Sequence, residues 1–236
     1  MTRCFIIGHP VAHSRSPIIH GHWLAEHGLD GSYERVDVPP GAVAAFLDRI
    51  RSGEFAGGNV TVPNKEAVLP LLDHVGETAR RMGAVNTIWV EDGKLHGDNT
   101  DAFGFLAHLD DRVPGWDART ASALILGAGG AARAVVHGLV SRGVGRIILV
   151  NRSMARAEDL AAEFGAGVEA RGRSEAAALV ATSDLIVNTT SLGMQGQPPL
   201  DLDLAGLRPG TIVDDIVYVP LETALLAEAR ARGGVP

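Results

Sequence analysis

Cysteine is nearly absent: Cys4 is the only one in 236 residues. An internal disulfide is therefore excluded, and so is a zinc cluster built on thiolates. Long apolar runs are missing as well, with nothing near the roughly 20 residues that a membrane-spanning helix needs. The opening Met1-Thr2-Arg3-Cys4-Phe5-Ile6-Ile7-Gly8 is interrupted by His9-Pro10 too soon for a signal peptide and reads as a first core strand. Positive charge is scarce: 21 Lys and Arg stand against 28 Asp and Glu, for a formal charge of −7. That balance offers no surface for nucleic acid or an anionic membrane. Internal repeats and low-complexity tracts are also lacking. The remainder is ordinary for a globular protein, 46% hydrophobic and 21% charged, in a chain long enough for two modest domains. A cytoplasmic protein is the expectation.

Apolar patterning divides the chain near residue 101. Before it, strands alternate with amphipathic helices: strand 3–8, a helix from 17 to about 27, strand 32–38, a helix from 42 to about 51, and strand 58–62. Such alternation predicts a parallel α/β sheet. Two shorter strands follow, 86–91 and 94–97, with Asp92-Gly93 between them as a hairpin turn. A helix over 102–115, ended by Pro114-Gly115, carries the chain into a second half. There the order is strand 123–126, helix 131–136, strand 146–150, alanine-rich helices around 155–163 and 175–181, and strands 184–188 and 211–216. The predicted fold is two α/β domains around a cleft, residues 1–101 and 102–236, with Lys65 and the glycine loop of the second half both opening onto it.

That loop is Gly127-Ala128-Gly129-Gly130-Ala131-Ala132, between a buried strand and a good helix. Glycines at such a turn let the backbone approach a pyrophosphate, and the helix N-terminus offers unpaired N–H groups and a positive dipole end. An NAD site carries Asp or Glu at the end of the next strand, for the ribose hydroxyls. This chain has Asn151, Arg152 and Ser153 there, with Arg156 close behind. Loss of the acid and gain of two guanidiniums suit a 2′-phosphate, which makes NADP the expected cofactor.

Polar residues in the first half gather at strand ends, where open α/β sheets bind ligands. Ser14 and Ser16 precede a helix with Pro17 at its start; they are helix caps or a pair of hydroxyls for a carboxylate. Asn59-Val60-Thr61-Val62-Pro63-Asn64-Lys65 ends a strand in alternating polar residues and places Lys65 at an expected helix start, against the helix dipole. That placement points to a functional demand, or to a solvated surface lysine. Asn86-Thr87 and Asp98-Asn99-Thr100-Asp101 add amides, hydroxyls and carboxylates. His20 and His22, two apart on a helix, face different ways and make a poor metal pair, so no metal is expected.

In this order and spacing, Ser14-Arg15-Ser16-Pro17, residues 59–65, Gly83-Ala84-Val85-Asn86-Thr87, Asn99-Thr100-Asp101, residues 127–132, Asn151-Arg152-Ser153, residues 188–194 and residues 215–220 closely resemble the shikimate dehydrogenase family. The resemblance covers essentially the whole chain. It implies reversible reduction of 3-dehydroshikimate to shikimate by NADPH, in aromatic amino acid biosynthesis. By the same resemblance Ser14 and Ser16 hold the substrate carboxylate, while Asn59, Thr61, Asn86 and Asp101 bind ring hydroxyls. Lys65 passes the proton, oriented by Asp101, and Tyr218 reaches the substrate from the cofactor side. The cofactor set is Gly127, Ala128, Gly129, Gly130, Ala131, Asn151, Arg152, Ser153, Arg156, Thr189, Ser191 and Ile216. Glu77 aligns near the nicotinamide end or is a surface helix acid, and Met194 touches the cofactor or belongs to the core.

Three departures qualify the match. Gly58 stands where the family usually has Phe, and Ala102 replaces a common glycine. The chain ends at Gly233-Gly234-Val235-Pro236, where the family continues into a segment that returns to the first domain with a substrate-binding glutamine and a glycine by the nicotinamide; the natural protein is expected to be longer. The expected partner is the small-molecule substrate, in a monomer or homodimer. Two other classes are a quinate/shikimate dehydrogenase with relaxed cofactor choice and a non-catalytic NADP- or metabolite-binding module. Ser16 and the Asn151-Arg152-Ser153 run argue against the first, and retention of both Lys65 and Asp101 argues against the second.

Overall fold

The computed structural model describes residues 1–236. It separates into two units, Met1–Asp101 and Ala102–Pro236. The first contains β1 (Thr2–Gly8), α1 (Ser16–Glu26), β2 (Gly31–Asp37), α2 (Val43–Arg51), β3 (Gly57–Val60), β4 (His74–Val75), α3 (Glu77–Met82), β5 (Thr87–Glu91) and β6 (Lys94–Asp98). Its six-stranded sheet runs β2-β1-β3-β5-β6-β4. β1 pairs in parallel with β2 and β3, as the alternating strands and helices predict. The rest is mixed: β5 is antiparallel to β3 and β6, and β4 is parallel to β6. The hairpin accounts for the antiparallel pairing of β5 with β6. Asp92 (φ 51°) and Gly93 (φ 74°) both adopt left-handed backbone, and a two-residue loop of that kind joins only antiparallel neighbours.

Val43, Phe46, Leu47 and Ile50 recur at helical spacing and bury one stripe of α2. Phe46 and Phe55 meet the Phe5 ring edge-on, with centroids 4.9 and 5.3 Å away, in the core beneath the sheet. α1 buries none of its residues; its contact to the sheet includes the His20 ring stacked on Tyr33 at 4.1 Å. The glycine at position 58 has a spatial reason. A Cβ there would lie 2.1 Å from the Phe5 carbonyl oxygen on β1, so no side chain fits where the two backbones meet.

The second unit holds α4 (Asp101–Arg112, beginning at the junction), β7 (Ser122–Leu126), α5 (Gly130–Ser141), β8 (Arg146–Val150), α6 (Met154–Phe164), β9 (Val168–Arg171), α7 (Ala176–Val180), β10 (Leu185–Asn188), β11 (Ile212–Asp215) and α8 (Ala224–Ala231). The sheet order is β11-β10-β7-β8-β9, every pair parallel. Both faces are covered by apolar clusters, which is why β7, β8 and β10 read as continuous apolar runs. The chain moves outward from β7 to β8 and β9, then returns to β10 on the other side of β7. That reversal is the switch point at which such sheets bind nucleotides. No helix is long and apolar enough to cross a membrane. β4, β9, α3 and α8 lie outside the elements expected from sequence; a two-residue strand has no periodicity to detect. The helix expected over 102–115 ends at Arg112, ahead of Pro114-Gly115.

Candidate active site

Strand register assembles the polar residues of the first unit. Asn59 on β3 lies opposite Thr87 on β5, which lies opposite Asp98 on β6. The segments just past those positions therefore share one end of the sheet. Lys65 Nζ meets Asp101 Oδ2 at 2.5 Å, with 14% of the lysine side chain and 29% of the aspartate exposed. Asp101 Oδ1 accepts from Asn86 Nδ2 at 2.8 Å. Asn86 is itself held, its Oδ1 accepting from Thr100 N at 3.0 Å and from Thr87 Oγ1 at 2.8 Å. Asn59 donates from Nδ2 to the Asn86 carbonyl and to Thr87 Oγ1, both at 3.2 Å, and its Oδ1 accepts from the Tyr33 hydroxyl. Thr61 follows β3 directly, its N–H bonded to the Ile7 carbonyl at 2.8 Å.

The helix expected to start at Lys65 does not form. Residues 62–68 make successive turns, and only a short 3-10 turn, Leu69–Leu71, follows. The dipole argument for Lys65 falls with it; the placement is explained instead by the Asp101 carboxylate and by the Lys65 carbonyl, which accepts from Val85 N at 2.8 Å. A cation and an anion this far withdrawn from water attract strongly, and removing either leaves the other poorly solvated. Asp101 is the first residue of α4, its N–H bonded to Asn99 Oδ1 at 2.9 Å.

Ser14 is buried, and its Oγ lies 3.3 Å from both the N–H and the hydroxyl of Ser16. Two hydroxyls converge at the start of α1, where no side chain caps the helix. The Ser14 carbonyl accepts from Arg35 Nε at 2.9 Å and Nη2 at 2.6 Å. Tyr33 and Arg35 thus reach candidate residues from behind, both from one face of β2, since alternate strand residues share a face. Sequence reading passed over them because they belong to none of the motifs; their spacing on a polar face of a strand is the signal that was available. Burial raises the Tyr33 hydroxyl pKa and lowers that of His20, which keeps the stacked pair neutral.

In the second unit, the turn after β7 is built of backbone. Gly127 has φ +114°, and a Cβ there would lie 2.5 Å from Thr189 Oγ1. Thr189 bridges β10 to β7, with its N–H and hydroxyl both donating to the Leu126 carbonyl at 2.9 and 2.7 Å. Gly129 precedes α5, Gly130 and Ala131 open it, and no side chain caps its N-terminal N–H groups. Beside the turn is a cavity of about 460 Å³, lined by Gly127, Asn151, Arg152, Arg173, Thr190 and Ser191 among others. Asn151 closes the loop after β8 by donating to the Ser153 carbonyl at 2.9 Å. Arg156, exposed in the first turn of α6, does not line the cavity. Open N–H groups, a cavity beside a turn that admits only glycine at 127 and guanidiniums near it fit a dinucleotide bearing an extra phosphate.

Residues 6–88 match the family described as "Shikimate dehydrogenase substrate binding domain", and residues 110–194 match "Shikimate / quinate 5-dehydrogenase". The chain belongs to the shikimate dehydrogenase family. The shikimate dehydrogenase (NADP(+)) of Azorhizobium caulinodans is 53% identical over 233 residues, which cover 99% of this chain and 83% of that one. The enzyme of the same name from Methylobacterium radiotolerans is 57% identical over 235 residues, covering 98% and 83%. The crystal structure of a Thermus thermophilus shikimate 5-dehydrogenase in complex with NADP(H) and shikimate has a TM-score of 0.85 at 40% identity, covering 99% of this chain and 85% of that one.

The remaining residues singled out by resemblance to shikimate dehydrogenases are more exposed. Ile216 and Tyr218 are 39% and 52% exposed on the loop after β11. Asp215 pins that loop: its Oδ1 accepts from Asn188 Nδ2 and Val217 N, and its Oδ2 accepts from Thr223 Oγ1 at 2.7 Å. Burial pushes the Asp215 carboxyl pKa up despite these bonds. Glu77 is exposed at the start of α3 and pairs with Arg81 at 2.7 Å, a helix-surface contact. Met194 is half-buried in a turn.

Proposed function

We propose that this chain catalyses the reversible NADPH-dependent reduction of 3-dehydroshikimate to shikimate, with residues 1–101 as the substrate-binding and catalytic domain and 102–236 as the NADP-binding domain. The observation that carries the catalytic assignment is the half-buried Lys65–Asp101 pair, continued through Asn86 to Asn59. When bound, NADPH supplies the hydride that reaches the ketone carbon. Charge then develops on the ketone oxygen, and the Lys65 ammonium stabilises it and gives up a proton from Nζ to complete the hydroxyl. Asp101 holds Nζ in place and keeps a countercharge beside it. In the oxidative direction Lys65 takes the proton back.

Ser14 and Ser16 hold the substrate carboxylate, which does not change charge in the reaction, and Asn59, Thr61, Asn86 and Asp101 read the ring hydroxyls. Tyr218 is a substrate residue, and Ile216, Thr189, Ser191, Glu77 and the residues of the glycine turn are cofactor residues. Arg152 and Arg156, with Asn151 and Ser153, bind the 2′-phosphate. The enzyme works in the cytoplasm as a monomer or homodimer whose partner is its small-molecule substrate, not nucleic acid or a membrane.

A spectrophotometric assay tests the reading. Oxidation of shikimate with NADP⁺ is expected to exceed that with NAD⁺, and quinate is expected to react poorly. Turnover of quinate with NAD⁺ above that of shikimate with NADP⁺ would overturn it.

A further inference from the structure

We propose that Arg173 is a further guanidinium for the adenosine 2′-phosphate of NADP, beside Arg152 and Arg156; this rests on the reading of the second unit as NADP-binding. β8 and β9 run side by side in parallel, with Val150 opposite Arg171. Two residues past each of those positions, in the segments that follow the two neighbouring strands, stand Arg152 and Arg173, the latter opening a short 3-10 turn. Both line the cavity beside Gly127.

Other arginines of these strands are committed elsewhere. Arg171 Nη2 lies 2.5 Å from Glu169, and Arg146 reaches the same carboxylate at 2.8 Å. Arg173 donates from Nη2 to Asp201 Oδ2 at 3.1 Å, and the two side chains are 59% and 90% exposed. A pair so open to water is weak, and a guanidinium has five donors, so a phosphate can engage it without a large rearrangement. Among the residues lining the cavity, Arg152 and Arg173 face one carboxylate, Asp201. That leaves an excess of positive charge where a dianionic monoester would sit. Arg156, in the first turn of α6, lies outside the lining, so Arg173 adds to the positive charge that Arg152 and Arg156 supply.

The test is calorimetric titration of the full chain with NADP⁺, NAD⁺ and adenosine 2′,5′-bisphosphate, for Arg173→Ala, Arg152→Ala and Arg173→Lys, with thermal melts to confirm folding. Arg173→Ala is expected to weaken NADP⁺ and the bisphosphate about tenfold, as for loss of a charge-assisted bond to phosphate. NAD⁺ is expected to change less than about twofold, because it lacks the group. Arg173→Lys should recover part of the loss. Unchanged NADP⁺ affinity in Arg173→Ala, or equal losses for NADP⁺ and NAD⁺, would overturn the proposal. Arg152→Ala separates the underlying reading: if it too binds NADP⁺ as the parent does, the phosphate site itself is misplaced, whereas a loss confined to Arg152→Ala removes Arg173 alone.

Discussion

Asn59, Asn86 and Asp101 in the first unit direct their amides and carboxylate at one another, whereas the glycine turn of the second unit presents backbone N–H groups that no side chain caps. The first site is therefore a network of side chains, and the second is a shape. Sheet topology produces the difference. Antiparallel pairing of β3, β5 and β6 sets Asn59, Thr87 and Asp98 in one row, which brings three distant segments within hydrogen-bond reach. The wholly parallel sheet of the second unit gathers loops at one edge instead, and its functional surface is the start of α5 and a cavity beneath the loops. A networked site should be sensitive to the loss of single polar groups. A backbone site should be sensitive to added bulk.

The largest effect is expected from Lys65→Ala. Loss of a positioned proton donor should lower kcat by about 10² to 10⁴, with a much smaller change in KM for shikimate, because the interaction is strongest in the transition state. Steady-state kinetics separate the two constants. A variant that keeps kcat and loses only affinity would make Lys65 a binding residue and send the proton by another route.

Gly127→Ala comes next and probes the backbone side of the comparison. The new Cβ would meet Thr189 Oγ1 at 2.5 Å in a left-handed backbone, a strain of about 1–3 kcal/mol. NADP⁺ affinity should fall about tenfold or more, with kcat at saturating cofactor less affected. Fluorescence titration and a melting curve read both quantities. Parental affinity in this variant would show that the turn does not carry the phosphates.

The smallest effects should fall on the carboxylate end. Ser14→Ala is expected to raise KM for shikimate about tenfold, the scale of one hydrogen bond to a charged group, while kcat holds. Arg35→Met should raise KM by a few-fold through the Ser14 carbonyl it fixes. If Arg35 acts through Ser14, its effect should shrink in the Ser14→Ala background, and a double-mutant cycle measures the difference. Strictly additive losses would remove Arg35 from the positioning of that loop.

The sites were legible to different depths. Gly127 was readable because only glycine suits a left-handed turn between an apolar strand and a helix. Lys65 was readable as a candidate, but for a reason the structure replaces: no helix starts there, and Asp101 accounts for its position. Glu77, which aligns with a family position near the nicotinamide end or is a surface helix acid, pairs with Arg81 on a helix surface, and Arg156 stands exposed in the first turn of α6. Tyr33, Arg35 and Arg173 went unnoticed because each stands beside a motif rather than within one, and Asp215, within one, was given no role of its own.

Local sequence by itself determined the apolar strands, the buried stripe of α2, the Asp92-Gly93 hairpin and the glycine turn. Each of these follows from short-range sterics and from a side-chain period visible within a few residues. Tertiary structure alone decided the row of Asn59, Thr87 and Asp98 and the reach of Tyr33 and Arg35 to Asn59 and Ser14. These depend on strand register between segments far apart in the chain. Register is set by how whole faces pack, and a one-residue slip of a strand would turn its side chains to the opposite face of the sheet.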